Sequence, residues 1–175
     1  MNARLLIAII LLVYSCNSDN SDPKAKRLKT IDSLEQVLKN AQGLPDEKTA
    51  RKMISMYWDF ASHHKDDPMA AEYLLRAGDI AGGINDPYLR ADCYRYLTDS
   101  FPDFKKIENA WYLLAFTYDA DLNNREAAKS YYLKVIEAAK DTNLVADSKA
   151  RMQSIDSLTY DEMVEKIISN NLKLQ

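Results

Sequence analysis

The segment NAWYLLAFTYDADLNNREAAKSYY, residues 109–132, decides the fold. Its apolar residues recur every three or four positions on both sides of the polar stretch DADLNN, which is typical of two amphipathic helices joined by a short turn. Sliding the chain by 37 residues superimposes three pairs of small or aromatic residues: Gly78 on Ala115, Ala91 on Ala128, and Tyr94 on Tyr131. We therefore expect one helical hairpin in two copies, over residues 71–104 and 108–141.

The rest of the chain carries helix start and stop signals. Asp67-Pro68 and Asp86-Pro87 each give an N-cap followed by proline at the first helical position. Thr159 and Glu162 form a capping box for a last helix. These signals predict an all-α protein of about eight helices with antiparallel neighbours, because the connections are short. The expected helices span residues 24–42, 46–64, 68–81, 87–100, 105–119, 124–140, 144–155 and 159–171.

The aromatic and small residues of the hairpins follow a known spacing. The positions that match it are Trp111, Leu114, Ala115, Tyr118, Ala127 and Tyr131 in the second copy, and Gly78, Tyr94 and Pro102 in the first. Over about residues 49–156 the chain thus resembles tetratricopeptide repeat proteins. It looks most like the lipid-anchored kind of Bacteroidetes, which is distantly similar to the helical lipoprotein subunit of the outer-membrane β-barrel assembly machinery.

This resemblance implies antiparallel hairpins that stack into a short right-handed solenoid with a concave surface. The chain departs from the family pattern at Lys134 and Ala139, where a small residue and a proline are usual. The alternative is an ordinary helical bundle whose core happens to recur. Both interpretations give an all-α fold.

The N-terminus has the pattern of an export signal. Arg4 precedes an apolar run of about ten residues, which is too short to cross a hydrocarbon core that needs roughly 20 helical residues. The stretch from Val13 to Cys16 resembles the lipobox of bacterial lipoproteins, although Tyr14 is bulkier than the usual occupant. The alternatives are a plain secretory signal with an incidental cysteine and a retained membrane helix.

The lipobox resemblance implies a division of the chain into three parts. Residues 1–15 are then a signal peptide, residues 16–23 a flexible tether with lipid on Cys16, and residues 24–175 a single helical-repeat domain. Acyl chains bury in a membrane at about 0.8 kcal/mol per CH₂, so two or three of them anchor a protein stably. Asp19 and Asp22 resemble the acidic clusters of surface lipoproteins. We expect an outer-membrane location, on either the periplasmic face or the cell surface.

Charge and cysteine content exclude several classes of function. Removing residues 1–15 takes away Arg4 and leaves 22 basic against 26 acidic residues, whereas a nucleic-acid binder needs a basic face. With Cys16 acylated, Cys93 has no internal cysteine to pair with. Because Cys93 lies in a helical pattern beside Tyr94, we expect it to be a small buried apolar residue.

The candidates for catalysis or metal binding are weak. His63 and His64 are adjacent on a helix and point about 100° apart, so they do not face one metal ion. Residues 119–124 place oxygen atoms at alternate positions as a calcium loop does, but Asn124 and Ser130 stand where glycine and glutamate are required. The sequence contains no Gly-rich phosphate loop and no nucleophile elbow. We expect no enzyme activity, no metal and no cofactor beyond the covalent lipid.

The repeat resemblance places a binding face on the first helix of each hairpin. Its expected residues are Glu72, Leu75, Asp79, Asn109, Tyr112, Phe116 and Asp119. Three acidic groups around two aromatic rings would suit a peptide or loop with basic and apolar residues. The alternative is that some of them pack against the N-terminal helix.

The predicted function is that of a non-catalytic, membrane-anchored scaffold that binds another envelope protein or an extended peptide. An accessory subunit of outer-membrane protein assembly and a glycan-capture protein are the alternatives among binding proteins. An envelope hydrolase is a further class, but the sequence offers no residue set to carry its chemistry.

Overall fold

The computed structural model describes residues 22–40 and 46–172. These residues contain no strand and form seven α-helices and one π-helical turn. The α-helices are α1 Pro23–Asn40, α2 Glu47–His63, α3 Pro68–Gly83, α4 Pro87–Ser100, α5 Ile107–Phe116, α6 Arg125–Ala138 and α7 Thr142–Leu172. The prediction of an all-α protein is confirmed. The predicted signal peptide, Cys16 and the tether up to residue 21 lie outside the described residues.

Side-chain caps fix where the helices begin. The carboxylate of Asp67 accepts a hydrogen bond from the Met69 backbone N–H at 2.7 Å, and Pro68 follows it at the first helical position. Asp86 accepts from the Leu89 N–H at 3.0 Å in the same way. Each cap satisfies one of the donors that a helix start leaves unpaired. Both predicted Asp-Pro helix starts are confirmed.

The helices pack mainly against their neighbours along the chain. Contacts join every consecutive pair from α1 to α7, and α5 also contacts α7. The buried side chains form three clusters. The first joins α1, α2, α3 and Cys93 of α4 around Phe60. The second joins Ala61 of α2, α3, α4 and α5 around Leu74, and the third joins α5, α6 and α7 around Tyr132. The core therefore continues along the chain, each cluster sharing a helix with the next.

The Tyr94 ring is held between α3 and α4 by a close contact and a hydrogen bond. It is fully buried against Gly78, and its hydroxyl donates to Asp79 Oδ1 at 2.7 Å. Tyr132 repeats the arrangement, because it is fully buried too and its hydroxyl donates to Asp119 Oδ2 at 3.2 Å. By burial and hydrogen bonding, the counterpart of Tyr94 is thus Tyr132.

The alignment of Tyr94 with Tyr131 is one residue out of register in the second helix. The cause is the π-helical turn Thr117–Asp121, in which the Leu122 N–H donates to the Thr117 carbonyl five residues earlier, at 3.0 Å. A π-turn contains one residue more than an α-turn, and the cap Asn124 accordingly follows Ala115 by nine residues, whereas the cap Asp86 follows Gly78 by eight. The turn also ends α5 at Phe116, three residues before the predicted end.

The predicted seventh and eighth helices form one helix. The backbone of α7 is helical without a break over 31 residues, through the segment from residue 156 to residue 159 that was expected to be a turn. Thr159 therefore does not cap a helix start, and the predicted capping box with Glu162 is wrong. A Thr-x-x-Glu pattern signals an N-terminus only where the chain is not already helical.

Candidate functional site

The seven predicted binding residues lie on α3, on α5 and on the π-turn. Asp79 and Asn109 are exposed, and Tyr112, Phe116 and Asp119 are half-buried. Leu75 is only 8% exposed and belongs to the second core cluster, so it does not reach the surface as the prediction required. We refer to the exposed and half-buried members, together with Glu72, as the α3–α5 face.

Glu72 is bound by a lysine that precedes α5. The Lys106 ammonium group donates to both carboxylate oxygens of Glu72, at 2.8 and 3.1 Å. The Glu72 side chain is 18% exposed, so this ion pair is partly shielded from solvent. The pair links the start of α5 to α3, and it balances the first of the three acidic charges in the predicted face.

Arg151 of α7 lies over the other end of the face. Its guanidinium carbon is 4.5 Å from the centre of the Phe116 ring, within the range of a cation–π contact. Its Nε donates to the Tyr112 hydroxyl at 3.1 Å and to Asp147 Oδ2 at 2.8 Å. The Tyr112 hydroxyl donates in turn to Asp147. Helix α7 therefore partly covers both aromatic residues of the face.

The cluster around Arg151 shifts the pKa values of its members. Burial, followed by the hydrogen bond to Asp147, raises the pKa of Tyr112. The hydrogen bonds from Tyr112 and Arg151 lower the pKa of the Asp147 carboxyl group. Asp119 is 3.8 Å from the Arg151 guanidinium and accepts from Tyr132. The second acidic charge of the face is thus also balanced by the chain itself.

Asp79 has a tyrosine as its hydrogen-bond donor. Its hydrogen-bond donor is the Tyr94 hydroxyl, whose pKa is raised by burial and by Asp79 itself. Glu72 and Asp119 have cationic partners, so the net charge of the face is less negative than the sequence suggested. A partner would find one exposed carboxylate at Asp79, one exposed amide at Asn109 and two half-buried aromatic rings.

The N-terminal helix reaches the same side of α3. Glu35 of α1 accepts from Arg76 of α3 at 2.9 Å and from the Tyr57 hydroxyl at 2.6 Å. Arg76 precedes Asp79 by three residues, which places the two on one side of the helix. The contact of α1 is made with Arg76, on the edge of the α3–α5 face.

Arg151 is the residue of this region that sequence reasoning missed. The signal available was the i, i+4 spacing of Asp147 and Arg151, which predicts a pair within α7 but not its contact with α5. The approach of α7 to α5 is a tertiary contact that periodicity does not encode.

The other candidate residues have structural partners. Asp121 pairs with Arg90 at 3.1 Å, and Asn124 caps α6 by accepting from the Ala127 N–H. Cys93 is fully buried, as predicted, and burial raises the pKa of its thiol to about 12. His63 contacts the backbone carbonyl of Asp59 at 2.8 Å. In residues 22–40 and 46–172 no three His, Cys, Asp or Glu side chains are grouped so that they could hold a metal ion.

The described helices were also compared with the requirements of a membrane span. None of them combines the length and the apolar character needed to cross a bilayer. Comparison with protein-family models, with curated proteins and with solved structures finds no match for this chain. What the structure itself defines is an all-α protein whose neighbouring helices pack together.

Proposed function

We propose that this chain is a non-catalytic, lipid-anchored scaffold that binds an extended peptide or a loop of another envelope protein on the α3–α5 face. The observation that carries the proposal is the composition of that face. Asp79 is exposed on α3, Asn109 is exposed on α5, and Tyr112 and Phe116 of α5 are half-buried. A carboxylate, an amide and aromatic side chains on two first helices suit the side chains and backbone of an extended peptide.

The contacts between helices support a short tetratricopeptide-like solenoid as the architecture. Side-chain pairs join α1 to α3 through Glu35 and Arg76, and α3 to the start of α5 through Glu72 and Lys106. Among the second helices, Trp58 of α2 stacks on Tyr96 of α4, with ring centres 4.9 Å apart. Links between first helices and between second helices are what stacked hairpins produce.

Photo-cross-linking in the intact envelope tests the binding face. A photoreactive amino acid replaces Asn109, which is exposed on α5, and in a matched control it replaces Tyr88, which is 74% exposed on α4. We expect a reproducible protein adduct from position 109 and none from position 88. Equal adducts, or substrate turnover without a partner, would overturn the proposal. An adduct with a barrel-assembly protein would support the accessory-subunit alternative instead.

Replacement of the proposed lipid site tests the anchor. Cys16→Ser removes the thiol that would carry the acyl chains, and we expect the protein to move from the membrane fraction to the soluble fraction. Asn20→Ser, in the same polar segment, is the matched control and should stay with the membrane. Membrane association that is unchanged in Cys16→Ser would show that no lipid on this residue holds the protein.

A further inference from the structure

A groove between α1 and α2 is lined by three lysines. Lys26 and Lys29 lie on α1, Lys52 lies on α2, and the cavity between them measures about 550 Å³. The rest of the wall consists of small, hydroxyl and aliphatic side chains, namely Ala25, Thr30, Ser33 and Leu34. No carboxylate is among these lining residues. We call this feature the lysine groove and its three cations the groove lysines.

The groove lysines differ from the cations beside them. Lys24 pairs with Asp67 at 2.6 Å, and Arg27 pairs with Asp59 at 2.5 Å. Within the part of the chain that the structure describes, no carboxylate lies within salt-bridge distance of any groove lysine, and all three side chains are exposed. The fold thus neutralises alternate cations of α1 and leaves three positive charges free around one cavity.

The charge of the whole chain is unevenly distributed in the same sense. Residues 16–63, which follow the predicted signal peptide, carry 8 basic and 7 acidic side chains, whereas residues 64–175 carry 14 basic and 19 acidic ones. An anionic surface would therefore attract the α1–α2 end of the protein and repel the remainder. This orientation would bring the lysine groove to the surface first.

The groove also lies close to the proposed attachment point. Pro23, the first residue of α1, follows Cys16 with six residues between them, and these seven residue steps span at most about 25 Å when extended. Lys26 and Lys29 lie in the first two turns of α1. A lipid on Cys16 would thus hold the lysine groove within reach of the phosphate groups of the same leaflet.

We propose that the lysine groove binds the phosphate headgroups of an anionic membrane surface and docks the α1–α2 end of the domain on the bilayer. The closeness of the groove to the membrane rests on the proposed lipid anchor, whereas the charge preference of the groove does not. Each lysine near an anionic surface strengthens binding about fivefold, so three together account for roughly a hundredfold.

Vesicle binding by the full unacylated chain tests this proposal. Binding is measured to vesicles of phosphatidylcholine alone and to vesicles with about one-third phosphatidylglycerol, whose headgroup charge supplies the attraction. The N-terminal run, with Arg4 and the α-amino group, is the same in the parent and in every variant, so differences between them in the ratio of the two affinities report the replaced lysines. We expect a strong preference for the anionic vesicles that weakens in about 0.5 M salt, where the Debye length falls below about 5 Å.

Lysine replacement assigns the preference to the groove. Lys26→Gln, Lys29→Gln and Lys52→Gln together should reduce the preference by tenfold or more, and Lys29→Gln alone should reduce it about fivefold. The matched control replaces three other exposed lysines and removes the same charge: Lys105→Gln, Lys140→Gln and Lys149→Gln. Circular dichroism checks that each variant is folded.

The outcomes separate this proposal from the proposed anchor. An equal loss in the control variant, or no loss in the groove variant, would overturn docking through the lysine groove. Binding of inorganic phosphate without any preference for anionic vesicles would assign the groove to a free anion and overturn the membrane role. Because the vesicle experiment uses an unacylated chain, its result does not depend on whether Cys16 carries a lipid in the cell.

Discussion

The ring of Tyr94 lies directly against Gly78. A Cβ atom placed on Gly78 would be 2.2 Å from Cε1 of this ring, which is closer than two carbon atoms approach in folded proteins. Gly78 is in the middle of α3, where glycine costs roughly 1 kcal/mol relative to alanine in a solvated helix. The close approach of Tyr94 is the reason that glycine is tolerated there.

Gly78→Ala should therefore destabilise the protein despite the better helix propensity of alanine. The added methyl group forces a fully buried aromatic ring to move, and overpacking of this kind costs about 1 to 3 kcal/mol. Gly83→Ala is the matched control, because its Cβ would meet nothing within 4 Å, and we expect no destabilisation there. Urea unfolding measures both. Equal stability of the two variants would contradict this packing.

The sequence indicated this contact, but not its counterpart in the second copy. Gly78 and Tyr94 belong to the spacing that defines the repeat, so their proximity could be predicted from the sequence. The pairing of Tyr132 with Asp119 could not, because the π-turn between them depends on backbone hydrogen bonds. No residue in Thr117–Asp121 is a proline or glycine that would mark an irregular turn.

The buried tyrosines give the protein a characteristic response to alkaline pH. Burial raises the pKa of Tyr57, Tyr94 and Tyr132, and each also faces a carboxylate. A tyrosine whose folded-state pKa exceeds its unfolded-state value of about 10 contributes to the free energy of unfolding, and this contribution is complete below about pH 10. This contribution is lost as the pH rises through the folded-state pKa. The free energy of unfolding should thus fall steadily above about pH 10.

Tyr94→Phe should reduce that alkaline loss. The variant has no phenol to deprotonate at this position, so its free energy of unfolding should fall less between about pH 9 and pH 11 than that of the parent. At neutral pH it should be about 1 kcal/mol less stable, since the hydrogen bond to Asp79 is gone. Tyr88→Phe alters an exposed side chain and serves as control. Identical pH profiles for the parent and Tyr94→Phe would contradict this assignment.

Arg151 should contribute more to stability than an ordinary surface arginine. Arg151→Met keeps the apolar stem but removes the bonds to Tyr112 and Asp147 and the contact with Phe116, and we expect a loss of about 1 to 2 kcal/mol. The control is Arg95→Met. Arg95 pairs only with the exposed Asp92, and its loss should cost under about 0.5 kcal/mol.

A double-mutant cycle separates the ion pair from the rest of the Arg151 cluster. Asp147→Asn, Arg151→Met and the double variant are compared by urea unfolding. The side chains of Arg151 and Asp147 are 32% and 49% exposed, so solvent weakens their coupling and we expect about 0.5 to 1 kcal/mol. A coupling of zero would mean that Arg151 acts through Phe116 and Tyr112 alone.

The sequence predicted which residues of α3 and α5 are exposed better than it predicted which other elements contact them. Helical periodicity correctly distinguishes the exposed side of α3 and α5, as Asp79 and Asn109 show. It says nothing about which neighbouring element approaches that side. Arg151 lies on α7, far from α3 in the sequence, and it pairs with Asp119 of the face. Lys106 lies outside any helix, just before α5, and it pairs with Glu72. Leu75 differs because α5 packs beside it and buries it.

The cap at the start of α4 provides a test of the helix boundaries. Asp86→Ala removes the acceptor for the Leu89 N–H at the start of α4 and the partner of Arg51, so it should destabilise the protein by about 1 to 2 kcal/mol. Asp86→Asn keeps the cap and should lose less, because asparagine is an equally good N-cap residue. The Leu89 N–H lowers the pKa of Asp86, so this stabilisation is present above about pH 4 and is lost as the pH falls.

Unlike Asp86→Ala, Thr159→Ala should not destabilise the protein, although Thr159 belongs to a capping-box pattern in the sequence. Thr159 lies inside the continuous helix α7, and alanine is favoured over threonine in a helix interior by up to about 0.7 kcal/mol. We therefore expect unchanged or slightly higher stability and helical content, measured by circular dichroism during urea unfolding. A loss as large as that of Asp86→Ala would mean that α7 does end before Thr159 and that a separate eighth helix begins there.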